Sequence, residues 1–474
     1  MIYDIQEFYS ILPFIILGGG ILISVIIEMY SSNSERILPW LSIVIFGVVG
    51  FYSLFTVNSV SVLMQNMIQI GGIPNIFHFI FNIGAAVTCL LSIDYIKKYG
   101  TYFGEYYILI QLSVLGMMCM AGAKDLFMIF LGLEIMSVSF YALAGLNRKR
   151  LNANEASLKY FLLGAFATGF TVYGIALIYG AVHSTSIDII TAKFPALSGN
   201  LIFLAGILLF FIGFSFKIAA FPFHMWVPDV YQGSATTIAG LFSTGGKAAA
   251  FSAIIASLSA LFGGSLHIFM PYLAVISVLS MLFGSIVAIA QDNIKRMLAY
   301  SSIAHAGYML IGLAAGNHDG IAGVVFYLLA YTFMNLGAFG IVSLIEGNDE
   351  TNLNINSYVG LSEKSPILAL LLSVFMFALA GLPPFAGFFG KYYVFISAVK
   401  SNITWLAVIG VISSAISVYF YIRIVVLMYF KDSQSDYAIE NSGTGLIAVI
   451  LSVVIVILLG IAPGSIINLI SSFL

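Results

Sequence analysis

Fourteen apolar runs follow one another along this chain, joined by short polar links. They cover approximately residues 11–29, 39–57, 70–93, 104–122, 126–146, 158–181, 201–231, 236–262, 268–290, 294–316, 320–345, 366–399, 402–430 and 444–470. A helix rises about 1.5 Å per residue, so about 20 residues cross a hydrocarbon core of about 30 Å. Each run is long enough to do so. In oil, every backbone donor and acceptor must be satisfied inside the segment itself, which leaves helices as the economical solution. The expected fold class is therefore all-α and integral to the membrane, with about fourteen transmembrane helices. Composition agrees: 61% of residues are hydrophobic, 8% are charged, and mean hydropathy is +1.06, far from the balance of a water-soluble domain. The longest polar connection, Gly347–Pro366, has no room for a soluble domain.

Several function classes drop out at once. A net charge of −2 gives no basic stripe for nucleic acid. Cys89 and Cys119 each stand alone in an apolar run, so no disulfide, zinc or iron–sulfur site is expected from this chain. Its GxG patterns sit in apolar helices with no strand before them, which excludes a dinucleotide loop. The opening MIYDIQEFYSILPFI lacks a basic stretch before its first apolar run, so no cleaved signal peptide is expected.

Links after odd-numbered runs carry Arg36, Lys97, Lys98, Arg148, Lys149, Arg150, Lys295, Arg296, Lys364 and Lys431; links after even-numbered runs carry Lys124, Lys193 and Lys400. By the positive-inside rule the odd links face the cytoplasm and both termini face outward. Lys159 sits at the inner mouth of run six, and Arg423 near the inner end of run thirteen, where it can snorkel.

Three lysines remain inside the apolar runs: Lys217, Lys247 and Lys391. In FFIGFSFKIAAFPFHMWVPDVYQGSATT, Lys217 precedes Pro222 by five residues. Proline removes a backbone donor and clashes with the preceding turn, so run seven breaks there. Run twelve breaks at Pro383 and Pro384, ahead of Lys391. An odd number of crossings separates the two broken runs, so a repeat at that offset is inverted. The organisation expected is three N-terminal helices (1–103), a first five-helix repeat (104–262), a second, inverted one (268–430) and a last helix (444–474). Broken helices at matching positions of inverted repeats mark a transport site near the midplane.

Glu134 is the one carboxylate deep in an unbroken run, and Asp229 lies beyond the first break. A charge in oil is costly and usually lines an ion or proton path. Burial disfavours the charged form of either sign, and an ion pair opposes that. Glu134 and Lys217 are thus expected to pair and switch, with Lys247 next in line and Gly245, Gly246 and Ala248–Ala250 leaving room for water. His305, in NIKRMLAYSSIAHAGYMLIGL, completes the candidate set. Simpler roles stand beside these: a structural Glu134–Lys217 ion pair, a Lys247 that is only structural, a Lys391 that snorkels outward, a His305 satisfied by Tyr300, Ser301 or Ser302. His224 is expected to hydrogen-bond at the helix end. His78, His183, His267 and His318 are expected at run ends or in links, solvated.

Four stretches together resemble a known family: GLEIMSVSFYALAGLNRKRLNANEASLKYFLLGAFATGFTVYG, FKIAAFPFHMWVPDVYQG, IAQDNIKRMLAYSSIAHAGYMLIGLAAG and AGLPPFAGFFGKYYVF. They resemble the antiporter-like membrane subunits of complex I, most of all the N type of bacterial NADH–quinone oxidoreductase, over residues 100–430. The resemblance implies a fourteen-helix core, inverted five-helix repeats, and a line of midplane charges formed by Glu134, Lys217, Lys247 and Lys391 together with His305. It implies a multi-pass subunit of the bacterial inner membrane that moves protons outward. Electron transfer from NADH to quinone would occur in partner subunits that hold the flavin and iron–sulfur clusters, with no redox cofactor in this chain. A subunit of a multi-subunit cation/proton antiporter is the alternative. Family members usually carry proline where Ala235 and Gly246 stand and often glutamate where Gln232 stands. The M and L types usually show a WLP-type motif where this chain has Trp226, Val227 and Pro228.

Overall fold

The computed structural model describes residues 5–98, 104–261, 269–347, 351–432 and 442–474. His267 and the boundaries placed at residues 103, 262 and 268 lie outside the described residues. The chain begins with α1 (Ile5–Tyr30) and α2 (Ser34–Phe55), followed by a short hairpin of β1 (Ser61–Leu63) and β2 (Ile68–Ile70). That hairpin falls between the second and third apolar runs and had no sequence signal of its own. Next come α3 (Ile73–Lys98), α4 (Glu105–Ala121), α5 (Leu126–Ala144), α6 (Leu151–Val182) and a short α7 (Ile187–Leu197). Run seven is α8 (Leu201–Lys217) and α9 (Trp226–Gly233). Run eight is α10 (Thr236–Leu241), a π-helical turn over Phe242–Gly246, and α11 (Lys247–Leu261).

In the second half, α12 (Met270–Ile289), α13 (Ile294–Ala315) and α14 (His318–Ile345) precede the small α15 (Leu361–Lys364). Run twelve is α16 (Pro366–Ala380) and α17 (Ala386–Lys400), followed by α18 (Thr404–Phe430). Run fourteen bends at Pro463 into α19 (Gly443–Ile461) and α20 (Pro463–Ser471). Among the described residues, eleven helices are long and apolar enough to cross a membrane, and α4, α8 and α16 are shorter apolar helices. The protein is a multi-pass, all-α membrane protein.

Burial sets the layers. α14 is enclosed along nearly its whole length and α13 is almost as covered, whereas α1 and α6 turn long apolar faces outward. Two helix crossings bring the site elements into register. Gly116 of α4 meets Gly132 of α5 so closely that a Cβ on either would come within 2.7 Å of the other's carbonyl oxygen. Gly174 of α6 and Gly206 of α8 do the same, at 2.6 and 3.0 Å. Small residues permit this approach without a hydrophobic driving force between helices in lipid. Glu134 lies on α5 just beyond one crossing, and Lys217 closes α8 beyond the other.

Candidate functional site

Each broken helix disposes of its loose backbone in its own way. α8 stops at Lys217, five residues ahead of Pro222. The amides of Ile218 and Ala220 fold back onto Phe214 O and Ser215 O, at 3.0 and 2.9 Å. The Phe216 carbonyl receives the Trp226 indole N–H (3.1 Å), and the Phe221 amide donates to Ser280 Oγ of α12 (2.9 Å). These backbone groups around the break are thus satisfied inside protein, as a break at membrane depth requires. His224 is buried here, stacked on Phe221 and tilted against Phe283.

Lys217 is 5% exposed, and its Nζ donates to Ser137 Oγ (2.8 Å) and Tyr141 OH (3.1 Å), both on α5. Glu134 lies one turn away on the same face of α5, at a spacing of three and seven residues from Ser137 and Tyr141. Its Oε1 accepts from Thr168 Oγ1 of α6 at 2.9 Å. Among the described residues no ion pair within 4 Å joins Glu134 to Lys217. Their direct pairing, expected from sequence, is replaced here by separate hydroxyl partners, Ser137 and Tyr141 for Lys217 and Thr168 for Glu134. Glu134 is also half-exposed on a face shared with Leu131, Ile135 and Val138.

The second break follows other rules. α16 ends in Gly381 at φ +84, where the Gly381 and Leu382 amides both return to Phe377 O at 3.1 Å, a left-handed cap that glycine supplies readily. Lys391, 4% exposed, reaches back from α17 to donate to Ala380 O (2.8 Å), Leu379 O (3.3 Å) and Ser414 Oγ of α18 (2.8 Å). It lies over the Tyr308 ring at 4.9 Å. A Cβ at Gly381 would sit 2.9 Å from Lys391 Cδ, so this glycine supplies space as well as φ. Lys391 is therefore an internal cap on the negative end of α16, and the snorkelling alternative is set aside.

Lys247 and His305 lie between the breaks. No proline precedes Lys247; the π turn over Phe242–Gly246 puts the irregularity there instead, as such turns often do at functional positions. Lys247 is 1% exposed and donates through a short hydrogen bond to Ser302 O of α13. The His305 ring is held between two phenols, Nδ1 to Tyr327 OH (2.8 Å) and Nε2 to Tyr421 OH (3.0 Å), and Tyr421 OH also shares a short hydrogen bond with Ser301 Oγ. The Tyr308 ring meets His305 edge-on at 5.7 Å, and its hydroxyl continues to Ser413 (3.2 Å) and Ser285 beyond (3.0 Å). From Lys247 to Lys391 the side chains form an almost unbroken sequence of polar and aromatic groups. Between α5 and the Lys247 turn, by contrast, Phe140 packs on Phe242 (4.6 Å) and against Gly246.

Four features escaped the sequence. Tyr327, Tyr331 and Asn335 recur every four residues along α14, a polar stripe in an apolar helix that was a readable signal. Asp229, partly open to solvent, binds two cations that the sequence did not tie to it: Lys159 (2.7 Å) and Arg296 (2.7 Å), and Arg296 also donates to Gln232 Oε1 (2.9 Å). Glu346 and Lys295, at the ends of their apolar runs, are fully buried, so Glu346 is more deeply enclosed than Glu134. His78 is likewise fully buried, on Met118 O at 3.1 Å, contrary to its expected solvation, because the end of α3 tucks beneath α4. Among the described residues, no three His, Cys, Asp or Glu side chains converge as a metal site.

Comparison with known proteins fits this geometry. The profile of the family described as NADH:quinone oxidoreductase/Mrp antiporter, TM, matches residues 123–417. This chain belongs to that family. Within the NADH:quinone oxidoreductase/Mrp antiporter family, it is 43% identical to NADH-quinone oxidoreductase subunit N of Trichlorobacter lovleyi over 97% of this chain and 95% of that protein. The subunit N 1 protein of Chloroherpeton thalassium is 42% identical over 98% of each. Among solved structures, a chain of respiratory complex I from Thermus thermophilus with bound aureothin superposes with a TM-score of 0.83 and 31% identity, covering 96% of this chain and 98% of that one. A chain of the Mrp complex from Dietzia sp. superposes at 0.86 over 98% and 97%, but at 18% identity it speaks for the fold alone.

Proposed function

We propose that this chain is the proton-translocating N-type membrane subunit of a respiratory NADH–quinone oxidoreductase. The observation that carries the reading is the set of enclosed ionisable groups, Lys217, Lys247, His305 and Lys391, disposed between two interrupted helices and linked on one side by hydroxyls and phenols. In this reading, protons are taken up on the cytoplasmic face toward Lys217 and Lys247, pass His305 and reach Lys391, from which they leave outward. Glu134, on the same face of α5 as the Ser137 and Tyr141 partners of Lys217, sets the proton affinity of Lys217.

The residues suit these steps. A proton added at one nitrogen of His305 can be released from the other, because each nitrogen faces its own phenol. Tyr308, Ser413 and Ser414 stand on the way to Lys391. Fourteen crossings, inverted repeats at 104–262 and 268–430, and outward-facing termini belong to the same proposal, supported by the two interrupted helices and the bias of basic links. Partner subunits would carry flavin, iron–sulfur clusters and the quinone site, in a bacterial inner membrane. A half-exposed Glu134 on an otherwise apolar face supports a protein neighbour there. The antiporter alternative shares the fold, but identity of 43% to subunit N against 18% to the Mrp chain favours the redox-driven complex.

The test is Lys217→Ala in the intact complex reconstituted in liposomes. NADH-driven proton pumping is expected to fall sharply with assembly preserved; normal pumping by the assembled variant defeats the route.

A further inference from the structure

We propose that Thr168 is a positioning residue for the charges at the first break: its hydroxyl holds the Glu134 carboxylate away from Lys217, and its release lets Glu134 swing onto the lysine and retain the proton there. The inference rests on the reading above and names what decides when the two charges meet.

Thr168 stands midway along α6, half-buried and facing α5. A threonine inside a helix readily returns its hydroxyl to the carbonyl four residues back. Thr88, Thr171, Thr191, Thr244 and Thr332 all do so here, at distances between 2.8 and 3.3 Å. Thr168 departs from that habit. Its Oγ1 leaves its own helix and donates to Glu134 Oε1 at 2.9 Å, a hydrogen bond strengthened by the charge on the carboxylate.

Lys217 lies within reach of the same acid. Tyr141, whose hydroxyl accepts from Lys217 Nζ, packs on Gly164 of α6 so closely that a Cβ there would come within 2.1 Å of the Tyr141 oxygen. Gly164 and Thr168 are four residues apart, about 6 Å along α6. On α5, Glu134 is three residues from Ser137, the other partner of Lys217, about 4.5 Å along the axis. Both helices thus place two stations for the carboxylate about one turn apart, an interval that a glutamate side chain covers by rotating its own bonds. The Glu134 charge is felt at Lys217 and at Tyr141, yet the carboxylate rests at the Thr168 station, and Lys217 Nζ meets the neutral oxygens of Ser137 and Tyr141.

The station decides what the lysine does. Beside neutral hydroxyls a buried ammonium is costly, and it gives its proton to the route and becomes an amine. With the carboxylate swung across, ammonium and carboxylate stabilise each other and the proton stays. The Thr168 bond biases the pair toward release, and one hydrogen bond to a charged group weighs about tenfold or more on that balance.

The experiment uses the whole complex in liposomes, reading NADH oxidation and lumen acidification together, with complex content measured in each preparation. Thr168→Val keeps the shape and removes the hydroxyl, so pumping per assembled complex is expected to fall about tenfold. Thr168→Ser, which keeps the hydroxyl, is expected to restore at least half. In a Glu134→Ala background Thr168→Val is expected to change nothing further, and a structure of the Thr168→Val complex is expected to show Glu134 in an ion pair with Lys217. Normal pumping by assembled Thr168→Val overturns the proposal. So does a loss that Thr168→Ser shares, or one that persists undiminished in the Glu134→Ala background, because the threonine then acts through packing alone. A Thr168→Val structure in which Glu134 stays away from Lys217 overturns it as well. Lys217→Ala separates the levels: if it pumps normally the parent reading fails, and if it is inactive while Thr168→Val is normal, only this inference fails.

Discussion

The two broken helices look alike in sequence and differ in how they hold their lysines. At the first, the lysine ends the leading half-helix and is held by side chains: Lys217 on Ser137 and Tyr141. At the second, the lysine belongs to the trailing half-helix and is held mainly by backbone: Lys391 on the terminal carbonyls of α16. A lysine bound to hydroxyls has partners that rotate and that communicate with a nearby acid, Glu134. A lysine bound to the end of a helix dipole has a fixed partner. Local flexibility around an ionisable group thus belongs to the first break, and preorganised support to the second.

Substitutions can break this contrast, and the largest effect is expected at Lys391→Ala. It removes both the proposed proton carrier and the donor to two buried carbonyls, each unmet acceptor costing about 1–3 kcal/mol. Pumping should collapse and the thermal unfolding temperature of the complex should drop, whereas Lys217→Ala should lose pumping with little thermal change. Equal thermal losses in the two variants would erase the distinction. Next in size is Gly381→Ala, which forces a side chain into φ +84 and against Lys391 Cδ. A destabilisation of about 1–2 kcal/mol and severalfold slower pumping are expected, read by calorimetry and by acidification of liposomes.

A smaller effect is expected from Ser137→Ala combined with Tyr141→Phe, which strips Lys217 of its two hydroxyl partners on α5. Hydrogen bonds to charged groups are worth about 1.5–3 kcal/mol each, so pumping should fall roughly tenfold while unfolding temperature stays near the parent value. A large thermal loss would show that the hydroxyls are structural. The least effect is expected at Asp229→Asn. Its ion pairs with Lys159 and Arg296 are partly open to solvent, and such pairs contribute about 0–1 kcal/mol. Pumping should change less than about twofold, and a salt titration of thermal stability should flatten slightly.

Much of this site was legible one residue at a time. A lysine in an apolar run, a proline after it and a lone acid are local signals, so Lys217, Lys247, Lys391, Glu134 and the breaks stood out. Their partners did not. Ser137 lies 80 residues from Lys217 and Tyr421 lies 116 from His305, and nothing in hydropathy ties such pairs. Glu346 and Lys295 were obscured because the end of an apolar run reads the same whether it reaches water or is covered by a neighbouring helix. The π turn at Phe242–Gly246 was obscured because no proline marks it and its residues read as part of an ordinary apolar run.

The sequence by itself determined that this chain lives in lipid as helices, where those helices are interrupted, and which few charges must be accommodated, because desolvation and proline chemistry act on each residue wherever it sits. Only the tertiary structure decided whom each charge meets. Glu134 turned toward Thr168 and a half-open face, Lys217 found hydroxyls, Lys391 found a helix end, and Glu346 was enclosed with Tyr95 and Thr236. Those pairings depend on helix crossings such as Gly116 on Gly132, where close approach is a property of two surfaces together and of neither segment alone.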